Sequence, residues 1–151
     1  MKTIDGDLIK LALAGEFDII IHGCNCQCVM GTGIAKSIRK AFPEAFEADR
    51  ATTKGDKTKL GTISHATLLR STHEITVVNG YTQFHYLGFG RLVDYDAVRS
   101  VMQAVKRQFG NQRLGYPLIG AGLAKGDWQI IADIIDAELA GCDHTLVRYK
   151  P

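Results

Sequence analysis

The segment 22–28, HGCNCQC, brings together the side chains of this sequence that are best suited to chemistry. It follows the apolar run III at 19–21 and precedes MGTG at 30–33, after which a helical pattern begins. Three interpretations fit these residue types: a metal site, a cradle for phosphate groups, or an ordinary turn. The spacing of the residues distinguishes between them.

The spacing of the cysteines argues against a metal site. Cys24, Cys26 and Cys28 are separated by single residues, and Cys142 lies far along the chain. Zinc sites usually need four ligands, with paired cysteines two to four residues apart. Free cysteine commonly packs as a small hydrophobic residue. We therefore expect no metal ion, and no other cofactor is indicated.

Two glycine-rich stretches are typical of phosphate cradles. Gly31-Thr32-Gly33 leads into a predicted helix, and Gly120-Ala121-Gly122-Leu123 follows a predicted strand. Because glycine lets backbone amides approach an anion closely, two such loops could hold two linked phosphates. The dinucleotide-binding fingerprint is incomplete, since Lys36 and Lys125 stand where its third glycine is required, and there is no P-loop motif. The pattern predicts binding or hydrolysis of a nucleotide-like molecule, not phosphoryl transfer from ATP.

Four polar side chains could complete such a site, and each also has a structural interpretation. His22 ends a predicted strand and could reach the ligand as general acid or base, but it could equally be a hydrogen-bonded structural histidine. Asn25 could contact a sugar or only form a turn. Asp127 and Asp7 are candidate helix caps, and Asp127 could also face a bound phosphate or sugar.

Apolar runs and helical periodicities alternate along the chain. The predicted strands are 2–4, 18–22, 61–69, 74–79, 114–119 and 145–149. The predicted helices are 7–14, 33–42, 94–109 and 127–140. Strands that alternate with helices predict an α/β sandwich around a mostly parallel sheet. In such sheets ligands bind beyond the carboxyl ends of the strands.

Composition and charge narrow the functional class. The 151 residues suit one domain, 1–151, with no repeat, low-complexity linker or break in composition. A net charge of +2 from scattered charges lacks the dense basic stripe of nucleic-acid-binding proteins. The N-terminal apolar stretch is too short and interrupted for a signal peptide, and no run is long enough to cross a membrane. We expect a cytoplasmic, monomeric protein with no nucleic-acid or membrane partner.

Several motifs together resemble the macrodomain family. They are GDL at 6–8, HGCN at 22–25, MGTGIA at 30–35 and YPLIGAGL at 116–123, and their order and spacing match over nearly the whole chain. The sequence is most similar to the branch with terminal ADP-ribose glycohydrolases and fungal-type ADP-ribose 1''-phosphate phosphatases. The resemblance implies a three-layer α/β/α sandwich around a mixed, mostly parallel sheet, with ADP-ribose in the crevice.

The resemblance also implies a role for each matching residue. Asp7 would accept a hydrogen bond from the adenine amino group beside the Leu8 backbone, and Tyr149 would flank the adenine. Asn25 would contact the distal ribose, near its terminal carbon. The diphosphate would lie against Gly31, Thr32, Gly33, Ile34, Gly120, Ala121, Gly122 and Leu123.

One departure from the glycohydrolases of this branch concerns their catalytic pair. They use a lysine on the strand before the central loop and an aspartate soon after the second glycine loop, where this chain has VVNGY at 77–81 and Ala124. Lysine-adduct chemistry is therefore not expected. We predict hydrolysis of ADP-ribose 1''-phosphate to ADP-ribose and phosphate. His22 would act as general acid or base, Asn25 would orient the ribose or a water, and Asp127 would orient His22 or that water.

Two other functions fit the same predicted site. The chain could be a non-catalytic reader of ADP-ribose, which the missing pair favours. It could also hydrolyse O-acyl-ADP-ribose or release ADP-ribose from acidic side chains. The segment 83–93, QFHYLGFGRLV, has the aromatic and glycine content of a mobile flap, and a packed surface loop is equally consistent with it.

Overall fold

Six strands and five helices make up the fold, and the computed structural model describes all 151 residues. The strands are β1 (Lys2–Gly6), β2 (Ile19–Asn25), β3 (Ile63–Arg70), β4 (His73–Gln83), β5 (Leu114–Tyr116) and β6 (His144–Tyr149). The helices are α1 (Leu8–Leu13), α2 (Gly33–Ala41), α3 (Pro43–Arg50), α4 (Tyr95–Phe109) and α5 (Trp128–Glu138). None of these helices is both long and apolar enough to cross a membrane.

The six strands form one sheet in the order β1-β6-β5-β2-β4-β3. Every neighbouring pair is parallel except β3 and β4, which run antiparallel. The carboxyl ends of β1, β6, β5, β2 and β4 therefore lie along one edge, and the loops that follow them meet there. This arrangement confirms the predicted mixed, mostly parallel sheet.

Apolar side chains cover both faces of the sheet. Ile20, Val77 and Val147 belong to the cluster beneath α1, α2 and α3, whereas Ile19 and Ile21 belong to the cluster beneath α4 and α5. Successive residues of a strand point to opposite faces, so a central strand buried on both sides reads as a continuous apolar run. The helices on both faces confirm the predicted three-layer sandwich.

The boundaries of several elements differ from the predicted ones near the carboxyl edge. β2 and β4 continue beyond their predicted ends to Asn25 and Gln83, whereas β5 stops at Tyr116. Pro117 follows Tyr116 and has no N–H to donate to a sheet ladder. Helix α3 is absent from the predicted elements, because a proline after a helical pattern suggests a stop, whereas Pro43 here occupies the first turn of a new helix.

Candidate functional site

A cavity of about 940 Å³ opens at the carboxyl edge of the sheet. Five stretches line it: the start of α1, the end of β2 with the loop into α2, the segment after β4, the loop between β5 and α5, and the end of β6. Most lining residues are hydrophobic, with a few polar side chains and both glycine loops among them. The volume lies near the top of the ~300–1,000 Å³ range of small-molecule sites.

The first glycine loop ends at the N-terminus of α2. Gly33, with φ of 58°, occupies the left-handed region that favours glycine. Thr32 is the N-cap residue, but its side chain makes no capping hydrogen bond. The N–H groups of the first helical turn have no partner within the helix, and Thr32 supplies none from its side chain. Gly31, Thr32 and Ile34 line the cavity, so an anion bound there would meet these amides.

The second glycine loop owes its shape to Gly120. This residue has φ of 72°, and a Cβ at this position would lie only 2.6 Å from Val93 Cγ2. The Gly120 carbonyl accepts a hydrogen bond of 2.7 Å from the Gly126 amide, which closes the loop. A side chain at position 120 would therefore be strained by both its backbone conformation and its neighbours.

The two glycine loops approach each other across the cavity. A Cβ added to Gly33 would lie 3.8 Å from Leu123 Cδ1, and one added to Gly122 would meet no atom within 4 Å. Gly120, Gly122 and Leu123 line the cavity, whereas Ala121 and Gly33 belong to the loops without lining it. The loops thus form two sides of one cradle.

Asp7 directly follows the edge strand β1 and lines the cavity at that end. It caps α1 through Oδ1, which accepts hydrogen bonds from the Ile9 and Lys10 amides at 3.0 and 3.1 Å. Its Oδ2 has no partner within the chain and remains able to accept a hydrogen bond from a ligand. Leu8 and Tyr149 line the same end of the cavity, and the Tyr149 side chain is exposed.

Asn25 braces the loop that follows β2. Its Nδ2 donates to the Val29 carbonyl at 2.8 Å, and its Oδ1 accepts from the Gln27 amide at 2.9 Å. Asn25 is nearly buried but lines the cavity. Because a side-chain amide carries two N–H groups and two acceptor lone pairs, Asn25 can form this turn and still contact a ligand.

His22 does not face the cavity, and the prediction that its side chain reaches the ligand is wrong. It lies within β2 instead of at its end, is fully buried, and does not line the cavity. His22 Nε2 donates to Asn79 Oδ1 at 2.7 Å, and Asn79 Nδ2 in turn donates to the Ala45 carbonyl of α3 at 2.9 Å. The imidazole therefore points into the layer beneath α3.

Burial determines the protonation of the groups around His22. It lowers the pKa of His22 to about 4, although the hydrogen bond with Asn79 opposes this, so the imidazole is neutral at pH 7. Cys24 Sγ lies 3.5 Å from His22 Nε2, and Cys24 lines the cavity. Burial raises the pKa of the Cys24 thiol well above its ordinary value, so this cysteine is not a ready nucleophile.

Asp127 is the N-cap of α5 and does not line the cavity. Its Oδ1 accepts a hydrogen bond from the Gln129 amide at 2.9 Å, and its own amide donates to Tyr95 Oη at 3.0 Å. The predicted helix-capping role is therefore present, whereas Asp127 makes no hydrogen bond with His22 and does not reach the cavity wall.

Several residues that line the cavity are not among the predicted site residues. The segment 83–93, singled out only as a flap or packed loop, contributes Tyr86, Leu87, Gly88 and Leu92 to the cavity wall. Lys125, considered only as a departure from the dinucleotide fingerprint, also lines it. Its position two residues after the second glycine loop could have indicated this placement.

Comparison with known proteins places this fold and site in a family. A family model described as Macro domain matches residues 21–135, which include most of β2, both glycine loops and most of α5. The chain belongs to the macro domain family. The strand-to-loop motifs that resemble this family in sequence are thus the ones that surround the cavity of this macrodomain.

This macrodomain covers nearly the whole length of some relatives and only part of others. An uncharacterized 17.5 kDa protein of Enterobacteria phage T4 is 38% identical, covering 100% of this chain and 97% of that protein. The DNA ADP-ribosyl glycohydrolase of Mycobacterium tuberculosis is 27% identical, covering 82% of this chain but only 34% of the enzyme. A solved structure of Thermosipho africanus DarTG in complex with ADP-ribose matches with a TM-score of 0.74 at 17% identity, covering 100% of this chain and 42% of that one.

Proposed function

We propose that this macrodomain binds ADP-ribose in the cavity at the carboxyl edge of its sheet. The observation that carries the proposal is the pair of glycine loops, which follow the neighbouring strands β2 and β5 and approach each other across the cavity. Backbone amides at a helix N-terminus and in a glycine loop suit the two phosphates of a diphosphate. The solved neighbour of similar fold that holds ADP-ribose supports this ligand.

The adenine is proposed to bind at the β1 end of the cavity. The Asp7 Oδ2 atom is free to accept a hydrogen bond from the adenine amino group, while Oδ1 stays bound to the amides of α1. Leu8 and Val147 supply apolar lining there, and the exposed ring of Tyr149 is placed to flank the base. This assignment leaves the opposite end of the cavity for the terminal ribose.

The terminal ribose is proposed to lie between Asn25 and the segment after β4. The second N–H of Asn25 Nδ2 would donate to a ribose hydroxyl while the first keeps its bond to Val29. Gln83 lines this part of the cavity, and its Nε2 is bound to the His85 carbonyl at 2.9 Å. These contacts would hold the anomeric carbon in place, and such positioning is a large part of rate acceleration in general.

We further propose that the macrodomain removes a group from this ribose, with ADP-ribose 1''-phosphate as the first substrate to test. The mycobacterial relative is named a DNA ADP-ribosyl glycohydrolase, which supports hydrolysis of an ADP-ribosyl group with a leaving group other than phosphate. The loop amides would stabilise developing negative charge. His22 would act as a positioning residue through its bond to Asn79 and its contact with Cys24, because its imidazole does not line the cavity.

A non-catalytic reader of ADP-ribose is the second candidate function. Asp7 is the only carboxylate among the lining residues, it belongs to the adenine end, and no histidine lines the cavity. A general acid or base must be within hydrogen-bond reach of the reacting atoms, directly or through one water. A cavity with this lining is consistent with tight binding and no turnover.

Phosphate release from ADP-ribose 1''-phosphate by the purified protein tests the hydrolase proposal. The parallel substrates are O-acetyl-ADP-ribose, a peptide ADP-ribosylated on glutamate, and an ADP-ribosylated DNA oligonucleotide. Release of phosphate alone supports the phosphatase, whereas release of ADP-ribose from another substrate reassigns the leaving group. Binding of ADP-ribose without turnover of any substrate supports the reader.

The Asp127→Ala variant separates helix capping from catalysis. We expect it to lower the free energy of unfolding by about 1 kcal/mol, because it removes the N-cap of α5, and to leave ADP-ribose affinity and turnover unchanged. Urea unfolding and the phosphate-release assay measure the two effects. Asp94→Ala is a matched control, because Asp94 caps α4 in the same way through the Ala97 amide. A loss of turnover in Asp127→Ala but not in Asp94→Ala would restore a catalytic role to Asp127.

A further inference from the structure

We propose that Lys125 selects ADP-ribose derivatives that carry an anionic group on the terminal ribose. This inference rests on the proposed binding of ADP-ribose and narrows the substrate class of the same site. It is supported by the charge distribution around the cavity, by the place of Lys125 in the fold, and by its backbone conformation.

The cavity lining carries two charged residues of opposite sign. Among its lining residues only Asp7 and Lys125 carry a formal charge at neutral pH. Asp7 follows the edge strand β1, whereas Lys125 lies in the loop after β5, two strand positions away, and that loop is hydrogen-bonded to the segment after β4. Two inter-strand spacings amount to about 10 Å. A ligand that lies along this edge of the sheet would therefore meet a carboxylate near β1 and an ammonium group near the loop after β5.

Backbone hydrogen bonds attach Lys125 to the ribose end. The carbonyl of Ala124 accepts bonds from the Leu92 and Val93 amides at 2.9 and 3.3 Å. Leu92 and Tyr86, both in the segment after β4, line the cavity there. Because Lys125 directly follows Ala124 and lines the cavity, its backbone is attached to the wall beside the proposed ribose site, within reach of a long side chain.

The backbone of Lys125 is held in a conformation that lysine rarely adopts. Its φ of 58° lies in the left-handed region, where a residue with a Cβ is disfavoured. The Lys125 amide donates to the Gly122 carbonyl at 3.0 Å, and the neighbouring Gly126 amide donates to Gly120 at 2.7 Å. Glycine would adopt this turn without strain, yet the chain carries a lysine there. Strained residues that the surrounding structure holds in place concentrate at ligand sites.

The chemistry of an exposed ammonium group defines the ligand class. The diphosphate is accommodated by the backbone amides of the two glycine loops, so the Lys125 charge is free for a further anion. A phosphate on the terminal ribose would accept a charge-assisted hydrogen bond from the Lys125 ammonium. A free hydroxyl or an acetyl ester is uncharged, so its hydrogen bond with the ammonium group would contribute much less binding free energy. Lys125 thus distinguishes phosphorylated from uncharged derivatives of ADP-ribose.

Competition binding in a rapid-mixing instrument tests this selectivity before turnover can occur. A fluorescent ADP-ribose probe is displaced by ADP-ribose or by ADP-ribose 1''-phosphate from the parent protein and from Lys125→Ala, Lys125→Arg and Lys54→Ala. We expect Lys125→Ala to weaken binding of the 1''-phosphate about 10-fold and binding of ADP-ribose less than about 2-fold. Lys125→Arg should keep the preference. Lys54→Ala should change neither ligand, because Lys54 is exposed outside the cavity.

The outcomes separate this inference from the proposed function. If Lys125→Ala weakens binding of ADP-ribose and of the 1''-phosphate equally, the lysine contacts the diphosphate. If it weakens binding of neither, the lysine does not contact the ligand. Either result overturns the inference without affecting the proposal that the protein binds ADP-ribose. Selective weakening without phosphate release by the parent protein would keep the inference and reject the phosphatase. If the parent protein binds neither ligand, the inference and the proposed function fail together.

Discussion

Replacing Gly122 with alanine is expected to weaken ADP-ribose binding at least about 10-fold without destabilising the protein, a loss of about 1.4 kcal/mol in binding free energy. Gly122 lines the cavity, and a Cβ there meets no protein atom within 4 Å. Its φ lies outside the left-handed region, so alanine is sterically compatible. A compatible glycine-to-alanine change stabilises by about 0.4–1 kcal/mol through the unfolded chain. The methyl group would instead occupy space that the diphosphate needs to approach the loop amides.

Gly120→Ala provides the contrast for this prediction. At position 120 alanine would be forced into φ of 72° and would place its Cβ 2.6 Å from Val93 Cγ2. Left-handed strain and overpacking together are expected to destabilise the protein by about 3 kcal/mol. Calorimetric titration with ADP-ribose and urea unfolding, applied to both variants, separate the two effects. Full ADP-ribose affinity in Gly122→Ala would show that the diphosphate does not lie against this loop.

Acidification is expected to destabilise the parent protein through His22. The pKa of this residue is about 4 in the folded protein and about 6.5 in the unfolded chain. Between these values the unfolded chain binds a proton that the folded protein does not, so stability falls as pH falls. The contribution is fully present above about pH 6.5 and amounts to about 3 kcal/mol lost by pH 4.

Comparison with His22→Gln isolates this effect. Urea unfolding between pH 7.5 and 4 should show about 3 kcal/mol less loss in the variant, because glutamine does not titrate. Burial also lowers the pKa of His144 and raises that of Asp49, but these groups are common to both proteins and cancel in the difference. His65→Gln, at an exposed position of β3, is the control for a histidine-to-glutamine substitution elsewhere in the sheet. If the parent and His22→Gln respond alike, His22 is protonated in the folded protein and its buried placement is contradicted.

The sequence predicts the layers of the fold better than the orientation of single side chains. Continuous apolar runs such as 19–21 are typical of strands buried on both faces, and their alternation with helical patterns is enough to predict an α/β sandwich. They do not reveal where the strand ends or which face each residue takes. His22 is assigned to the carboxyl end, but β2 continues to Asn25, and His22 shares the α3 side of the sheet with Ile20. Because β2 extends three residues past His22, this side chain is buried beneath α3 instead of reaching the cavity.

The glycine loops are predictable because glycine itself indicates an unusual backbone conformation or a close approach to a ligand. Gly33 and Gly120 have positive φ, which glycine favours, and the motifs around them resemble one family. The capping roles of Asp7 and Asp127 follow from local sequence in the same way. The left-handed conformation of Lys125 leaves no such signal, since it results from hydrogen bonds that the folded loop makes around it.

Calorimetric titration of the parent protein with ADP-ribose is the measurement that tests the central claim most directly. We predict saturable binding at one site per chain, strongly reduced by Gly122→Ala and unaffected by Asp127→Ala. The second variant lies outside the cavity, so it controls for non-specific effects of substitution. Absence of saturable heat with a folded parent protein would contradict the assignment of this cavity to ADP-ribose.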